Sequence, residues 1–198
     1  MTPATLLALI TYTFVSSITP GPNNMMLLAS GVNFGFRRTI PHILGILVGF
    51  GVLLGAVGLG LGAMLIAYPP MHTGLKVAGG AYLLWLAWKI GSARSLSSGK
   101  GEAATPLSFL GAAAFQWVNV KAWVMAVTAT ALFAMPDRPL FSAAIVAIVA
   151  MAVNLPCVSL WAAFGQALRG FLADPARLKW FNIAMGLALA ATLWPMMR

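Results

Sequence analysis

Thr19-Pro20-Gly21-Pro22-Asn23-Asn24 interrupts an apolar stretch with two prolines, a glycine and two carboxamides. Proline lacks a backbone donor and clashes with the preceding turn, at about 3 kcal/mol or more in a helix interior. A helix entering this segment therefore opens. At membrane depth, the freed backbone groups and amides are tolerated only where protein or a wet cavity receives them. The segment reads as a binding site. Pro22 suits the first turn of a restarted helix. The amides of that turn present donors and partial positive charge, the chemistry that holds a carboxylate. Asn23 and Asn24 are candidates to join them, Asn23 ahead of Asn24; the alternative is that both only cap the break.

A second polar segment, Gln116-Trp117-Val118-Asn119-Val120-Lys121, lies in a later apolar stretch. Lys121 is the one charged residue far from any predicted span end, and a central lysine costs about 2.5–3.5 kcal/mol on translocon scales. Its ammonium is expected to face a cavity and attract an anionic group such as a carboxylate. The competing reading is a misplaced boundary, with Lys121 snorkelling to an interface. Asn119 either donates to a ligand or holds the broken backbone. Gln116 and Asn154 are secondary candidates. Asn154 precedes Leu155-Pro156 and is read first as satisfying a kink. Trp117 and Trp123 either wall a cavity or pack.

These segments need apolar elements to carry them. The 198 residues are 61% apolar and 8% charged, against about 25% charged in soluble domains. The chain is expected to be an integral membrane protein with one transmembrane domain, 1–198. The net charge of +9 comes from scattered Lys and Arg, with no basic run of the kind nucleic acid requires. A hydrocarbon core of about 30 Å takes roughly 20 apolar residues per helix. Six spans are predicted, at 5–32, 40–67, 75–90, 106–134, 140–168 and 180–197. The short connections are 34–39, 68–73 and 135–139. The longest, 91–105, contains a cytoplasmic loop, 94–104, that joins halves 1–93 and 105–198.

Arg37, Arg38, Lys89, Arg94, Lys100, Arg169, Arg177 and Lys179 fall on one side of this arrangement, which the positive-inside rule makes cytoplasmic. Both termini are then outside. Three spans per half thread the halves in opposite senses, as in an inverted repeat. The first and fourth spans each carry an interruption at similar depth. The expected fold is all-α: six transmembrane helices in two inverted three-helix repeats, the first and fourth interrupted.

Other residues narrow the function. Glu102, Asp137 and Asp174 all fall in loops, so no span offers a carboxylate to a cationic substrate or a coupling proton. His42 reads as a solvated interface histidine. No metal-ligand cluster, catalytic triad or Walker motif is present, so no metal, cofactor or enzymatic reaction is expected. Glycines at 45, 49, 51, 55, 58 and 62, and at 79 and 80, read as close-packing devices. The lone Cys157 suits a labelling probe of whether the fifth span lines water. The N-terminus lacks a cleavage pattern and reads as a retained span.

The chain resembles the LysE/RhtB family of amino-acid exporters. The likeness rests on Thr19-Pro20-Gly21-Pro22-Asn23, on Gly35-Phe36-Arg37-Arg38, on Leu75-Lys76-Val77-Ala78-Gly79-Gly80-Ala81-Tyr82-Leu83-Leu84-Trp85-Leu86, and on Asn119-Val120-Lys121-Ala122. The family usually has proline where this chain has Val120, so the second break is expected to be shallower or the helix continuous. The resemblance implies export of amino acids or close derivatives across the bacterial inner membrane, driven by an ion gradient. It implies a substrate site at Pro20, Gly21, Pro22, Asn23, Asn119 and Lys121. The proton is the candidate coupling ion, with Lys121 as a candidate carrier, and the missing membrane acid favours a neutral, zwitterionic substrate. Partners are then the substrate, the ion and the bilayer, with a homo-oligomer left open. Export of another metabolite or a cation, and a non-transporting membrane scaffold, are the competing readings.

Overall fold

The computed structural model describes residues 1–62, 67–96, 105–135 and 137–194. Parts of the expected second span, of loop 94–104 with Lys100 and Glu102, and of the sixth span with Arg198 lie outside them. The described residues form helices and turns, with no strand among them.

Helix α1 (Pro3–Ile18) starts at Thr2, whose side chain accepts the Thr5 amide. It stops where proline chemistry requires: Thr19, before Pro20, is extended at ψ 146°. Helix α2 (Pro22–Phe34) begins at once with proline in its first turn, and the two helices meet at 56°. At about 1.5 Å per residue, α1 and α2 run about 24 Å and 20 Å from the break, which therefore lies deep in the helical layer. The connection expected at 34–39 is a single residue, Gly35, whose φ of 82° favours glycine.

Helix α3 (Phe36–Ala56) thus starts one turn earlier than predicted and passes into a π-helical turn at Val57–Leu61, inside which Gly60 has φ 107°. Helix α4 (Pro69–Ser92) also starts early, at Pro69 rather than after Thr73. Helices α5 (Phe109–Gln116) and α6 (Val120–Phe133) divide the fourth predicted span. Helix α7 (Pro139–Leu168) is continuous through Pro156. After a 3-10 turn at Phe171–Ala173, α8 (Pro175–Ala191) starts five residues before the prediction, because the Asp174 carboxylate accepts the Ala176 and Arg177 amides.

Two helical stretches, Phe36–Leu61 and Pro139–Leu168, are each long and apolar enough to cross a bilayer, and the bent pair α1–α2 makes a third. The exterior is also apolar: Trp88, Leu110 and Leu140 are 70, 75 and 72% exposed. Water would penalise that surface, whereas hydrocarbon does not.

Glycine brings the central helices together. A Cβ on Gly31 of α2 would lie 2.2 Å from the Ala162 carbonyl oxygen, and one on Gly165 of α7 would lie 2.2 Å from that of Leu28. One buried cluster, with Leu9, Phe50, Leu53, Ala126 and Val146, fills the end nearer the N-terminus. Two others, around Met26, Leu83 and Phe115 and around Leu27, Ile46 and Ala162, fill the middle, and a smaller one joins Val32, Leu172 and Leu178. The two breaks lie where these cores adjoin.

Candidate functional site

The second break forms without proline. After Gln116 the chain tightens through bonds from Trp117 N to Ala114 O and from Val118 N to Phe115 O, both 3.1 Å. Asn119 is then extended and caps α6, its side-chain oxygen accepting the Lys121 amide at 3.1 Å. A short polar side chain that bonds nearby backbone offers an alternative to the helical ladder. Val120 thus occupies the first helical position, and the continuous helix that was one of the two outcomes expected from it is not what forms. Gly79 of α4 lies against this turn, with a Cβ there only 2.3 Å from Val118 O.

Each break has its carbonyls received by donors. Trp123 Nε1 donates to Trp117 O at 2.8 Å, and Trp161 Nε1 donates to Ile18 O at 3.1 Å. Asn24, 3% exposed, donates its amide hydrogens to Ser17 O and Thr19 O, both at 2.8 Å. Its donors are therefore committed to the first break.

The two breaks are joined by side chains. Asn23 Nδ2 donates to Gln116 Oε1 at 2.8 Å, and Gln116 Nε2 returns a bond to Asn23 Oδ1 at 3.2 Å. Lys121 crosses the same gap. Its ammonium donates to Thr19 O at 2.9 Å, Thr19 Oγ1 at 3.1 Å and Pro20 O at 3.3 Å. Lys121 therefore does not snorkel to an interface: its charge sits on the carbonyls freed at the first break, just past the end of α1. Gly21 makes room for it, since a Cβ there would meet Lys121 Cδ at 2.8 Å and Nζ at 3.0 Å. Pro20 supplies a carbonyl, and buried Pro22 starts α2.

A cavity of about 30 Å³ lies beside these residues, lined by Ser17, Asn23, Gln116, Asn119, Lys121 and Asn154 among others. A buried water needs roughly 10–15 Å³ of such space, so this cavity is water-sized. Asn154 is 5% exposed and has no hydrogen-bond partner among the described residues. The kink-satisfying role expected for it is corrected: its amide lines the cavity. Ser17 Oγ is likewise buried and unpartnered among the described residues. Gly21, Asn119 and Lys121 also border a larger groove of about 630 Å³ with Tyr12, Thr19 and Thr192. The Lys121 contact thus stands between a small polar cavity and a wide groove.

Sequence reasoning missed Thr19, Ser17 and Trp161. Only tertiary contact identifies the tryptophan, whereas Thr19, preceding the first proline, was open to consideration as an extended residue with a freed carbonyl. His42 is corrected: it is 1% exposed and away from solvent. Cys157 is buried, which makes it a poor reporter of a water-lined face.

The LysE type translocator family model matches residues 14–192. Similar proteins include the cysteine/O-acetylserine efflux proteins of Escherichia coli (strain K12) and Shigella sonnei (strain Ss046). Each is 40% identical over 143 residues, covering 72% of this chain and 72% of the relative. No solved structure matches the chain. A helical protein with an apolar exterior, matched along nearly its whole length, is a multi-pass transporter of the bacterial inner membrane and not an enzyme, and the chain belongs to the LysE type translocator family.

Proposed function

We propose that this protein exports small, neutral amino acids or their close derivatives from the cytoplasm, with cysteine- and O-acetylserine-like solutes as the first candidates. The observation that carries the reading is the Lys121 ammonium lying across both breaks on the Thr19 and Pro20 carbonyls, beside a cavity that Asn154 also lines.

That arrangement suits a zwitterion. An arriving carboxylate draws the Lys121 ammonium away from the carbonyls, with Asn23, Asn119 and the first turn of α2 as further donors. The substrate's own ammonium then takes the vacated carbonyls of Thr19 and Pro20. Charge is conserved through the exchange, so no acidic side chain is needed in the site. Gly21 and Pro22 shape the backbone for it. Asn24, Gln116 and Asn154 complete the candidate set, Asn24 by holding the break and Asn154 by offering its amide. The names of the 40% identical relatives favour the same substrate class.

The fold reading is six spans in two inverted halves, 1–93 and 105–198, both termini outside. It is supported by an interruption in each half and by packing of helices from one half on helices of the other: α2 on α7, α3 on α5 and α4 on α8. A proton is the proposed driving ion.

The test is purified protein in liposomes loaded with O-acetyl-L-serine, L-cysteine, L-lysine or L-arginine under an imposed pH gradient. The neutral solutes should leave faster than from empty-membrane controls, and the cationic ones should not. Equal leakage of all four from protein-containing and protein-free vesicles would refute the reading.

A further inference from the structure

The proposed site does not use His42, yet His42 is the most anomalous side chain in the molecule. It is 1% exposed, and neither ring nitrogen has a hydrogen-bond partner among the described residues. An unpaired buried polar group carries its full desolvation penalty. The imidazole borders a second cavity of about 60 Å³, lined by Met26, Ala29, Ser30, Asn33 and Lys89 among others.

Ser30 and Asn33, which also line this cavity, already have partners. Ser30 Oγ pairs with Thr39 Oγ1 at 2.8 Å, and Thr39 Oγ1 donates to Gly35 O at 2.9 Å. Asn33 and Asn182 exchange bonds at 2.9 and 3.1 Å. The Lys89 ammonium lies over the Trp85 ring, 5.2 Å from its centroid. Unmet hydrogen-bonding capacity in this chamber therefore lies on His42, together with the Lys89 ammonium and Thr105 at its edge.

The chamber is aligned with the break site. Asn23, Met26, Ser30 and Asn33 recur at helical spacing and share one face of α2. Asn23 borders the first cavity, and the other three border the second. Between them, Met26 and Phe115 are buried in one apolar cluster with Leu86.

We propose that the His42 chamber is a second substrate subsite on the export path, holding the zwitterionic head group of a small amino acid, with Met26 and Phe115 as the apolar constriction between it and the break site. This rests on the transport reading above. A neutral imidazole has one donor and one acceptor. It can therefore donate to the carboxylate while accepting from the ammonium of the same head group.

Two measurements test the subsite. In liposomes, His42→Leu should raise the KM for O-acetyl-L-serine about tenfold or more, as expected for loss of bonds to a charged group, whereas His42→Gln keeps a donor and an acceptor and should stay near wild type. In a Cys157→Ser background, Ser30→Cys should react with a small methanethiosulfonate, and O-acetyl-L-serine should slow that reaction. If His42→Leu does not fold, Ala29→Leu, which fills the chamber, takes its place and should raise KM likewise. Wild-type KM in a folded His42→Leu or Ala29→Leu protein, or Ser30→Cys modification unaffected by solute, overturns the subsite while leaving export intact. A wild-type protein that moves none of these solutes would instead remove the transport reading.

Discussion

Lys121→Met separates the ammonium from its stem. Methionine is unbranched and retains apolar contact beside Gly21, but it leaves Thr19 O, Thr19 Oγ1 and Pro20 O without the donor now at 2.9, 3.1 and 3.3 Å. Hydrogen bonds involving a charged group contribute about 1.5–3 kcal/mol net. The three acceptors share one ammonium, so their contributions do not simply add. That range corresponds to roughly a tenfold to hundredfold change in an equilibrium. If Lys121 receives the substrate carboxylate, the KM for O-acetyl-L-serine efflux from liposomes should rise by that factor at equal reconstituted protein. Gly21→Ala supplies an independent perturbation of the same contact. Its Cβ would arrive 2.8 Å from Lys121 Cδ and 3.0 Å from Nζ, displacing the ammonium without deleting it. Methionine keeps an atom at the Cδ position, so the clash with a Gly21 Cβ survives Lys121→Met, and the double variant should be at least as impaired as either single one. A Lys121→Met protein with wild-type KM and maximal rate, or a Gly21→Ala protein with wild-type KM, would refute the reasoning.

Asn24→Ala removes two 2.8 Å bonds to break carbonyls and should cost about 1–3 kcal/mol, read as a lower thermal midpoint in detergent. Asn154→Leu should behave oppositely: the side chain lines the cavity and has no hydrogen bond to lose among the described residues, so the midpoint should hold or rise while KM for a neutral substrate increases. Gly165→Leu places a side chain where even a Cβ lies 2.2 Å from Leu28 O, and it should sharply reduce the yield of folded protein by size-exclusion chromatography. Cys157 is 2% exposed, so an impermeant maleimide should label it in dodecyl sulfate but not in native membranes.

Readability of the sequence divided along the range of the interactions involved. The first break was readable because proline acts on its own backbone and its neighbour's, and Pro20 and Pro22 do so here. The same chemistry was underused elsewhere. Pro69 and Pro175 fall between the predicted spans, although proline is well suited to the first turn of a helix, and both start helices. The second break is marked by its polar residues but lacks proline, and the capping strength of Asn119 supplies what proline does at the first. A span predicted from residue 40 puts His42 at an interface; with Phe36 as the first residue of α3, His42 lies nearly two turns inside the helix. No local pattern could have paired Trp161 with Ile18 O across 143 residues, or left Asn154 facing a cavity.

The volumes around the site bear on what a transport cycle here requires. About 30 Å³ beside the breaks accommodates water and excludes an amino acid, so the substrate must make its own space. Two barriers border that space. On one side is the Lys121 ammonium on the end of α1, beyond which lies a groove of about 630 Å³. On the other are Met26 and Phe115, beyond which lies the His42 chamber. The barriers differ in chemistry, and so should their responses. A charge contact yields to a competing carboxylate, whereas an apolar contact yields only when its helices separate. Lys121 can therefore respond directly to substrate, while opening past Met26 requires α2 to move relative to α4, α5 and α8, whose Leu86, Phe115 and Leu189 share its cluster. Tight glycine packing of α2 on α7 at Gly31 and Gly165 makes those two helices a natural rigid unit for that movement. A disulfide or crosslink joining α2 to α4 should then arrest export, while one joining α2 to α7 should leave it running. Arrest by the α2–α7 link and continued export with the α2–α4 link would assign the moving parts the other way round.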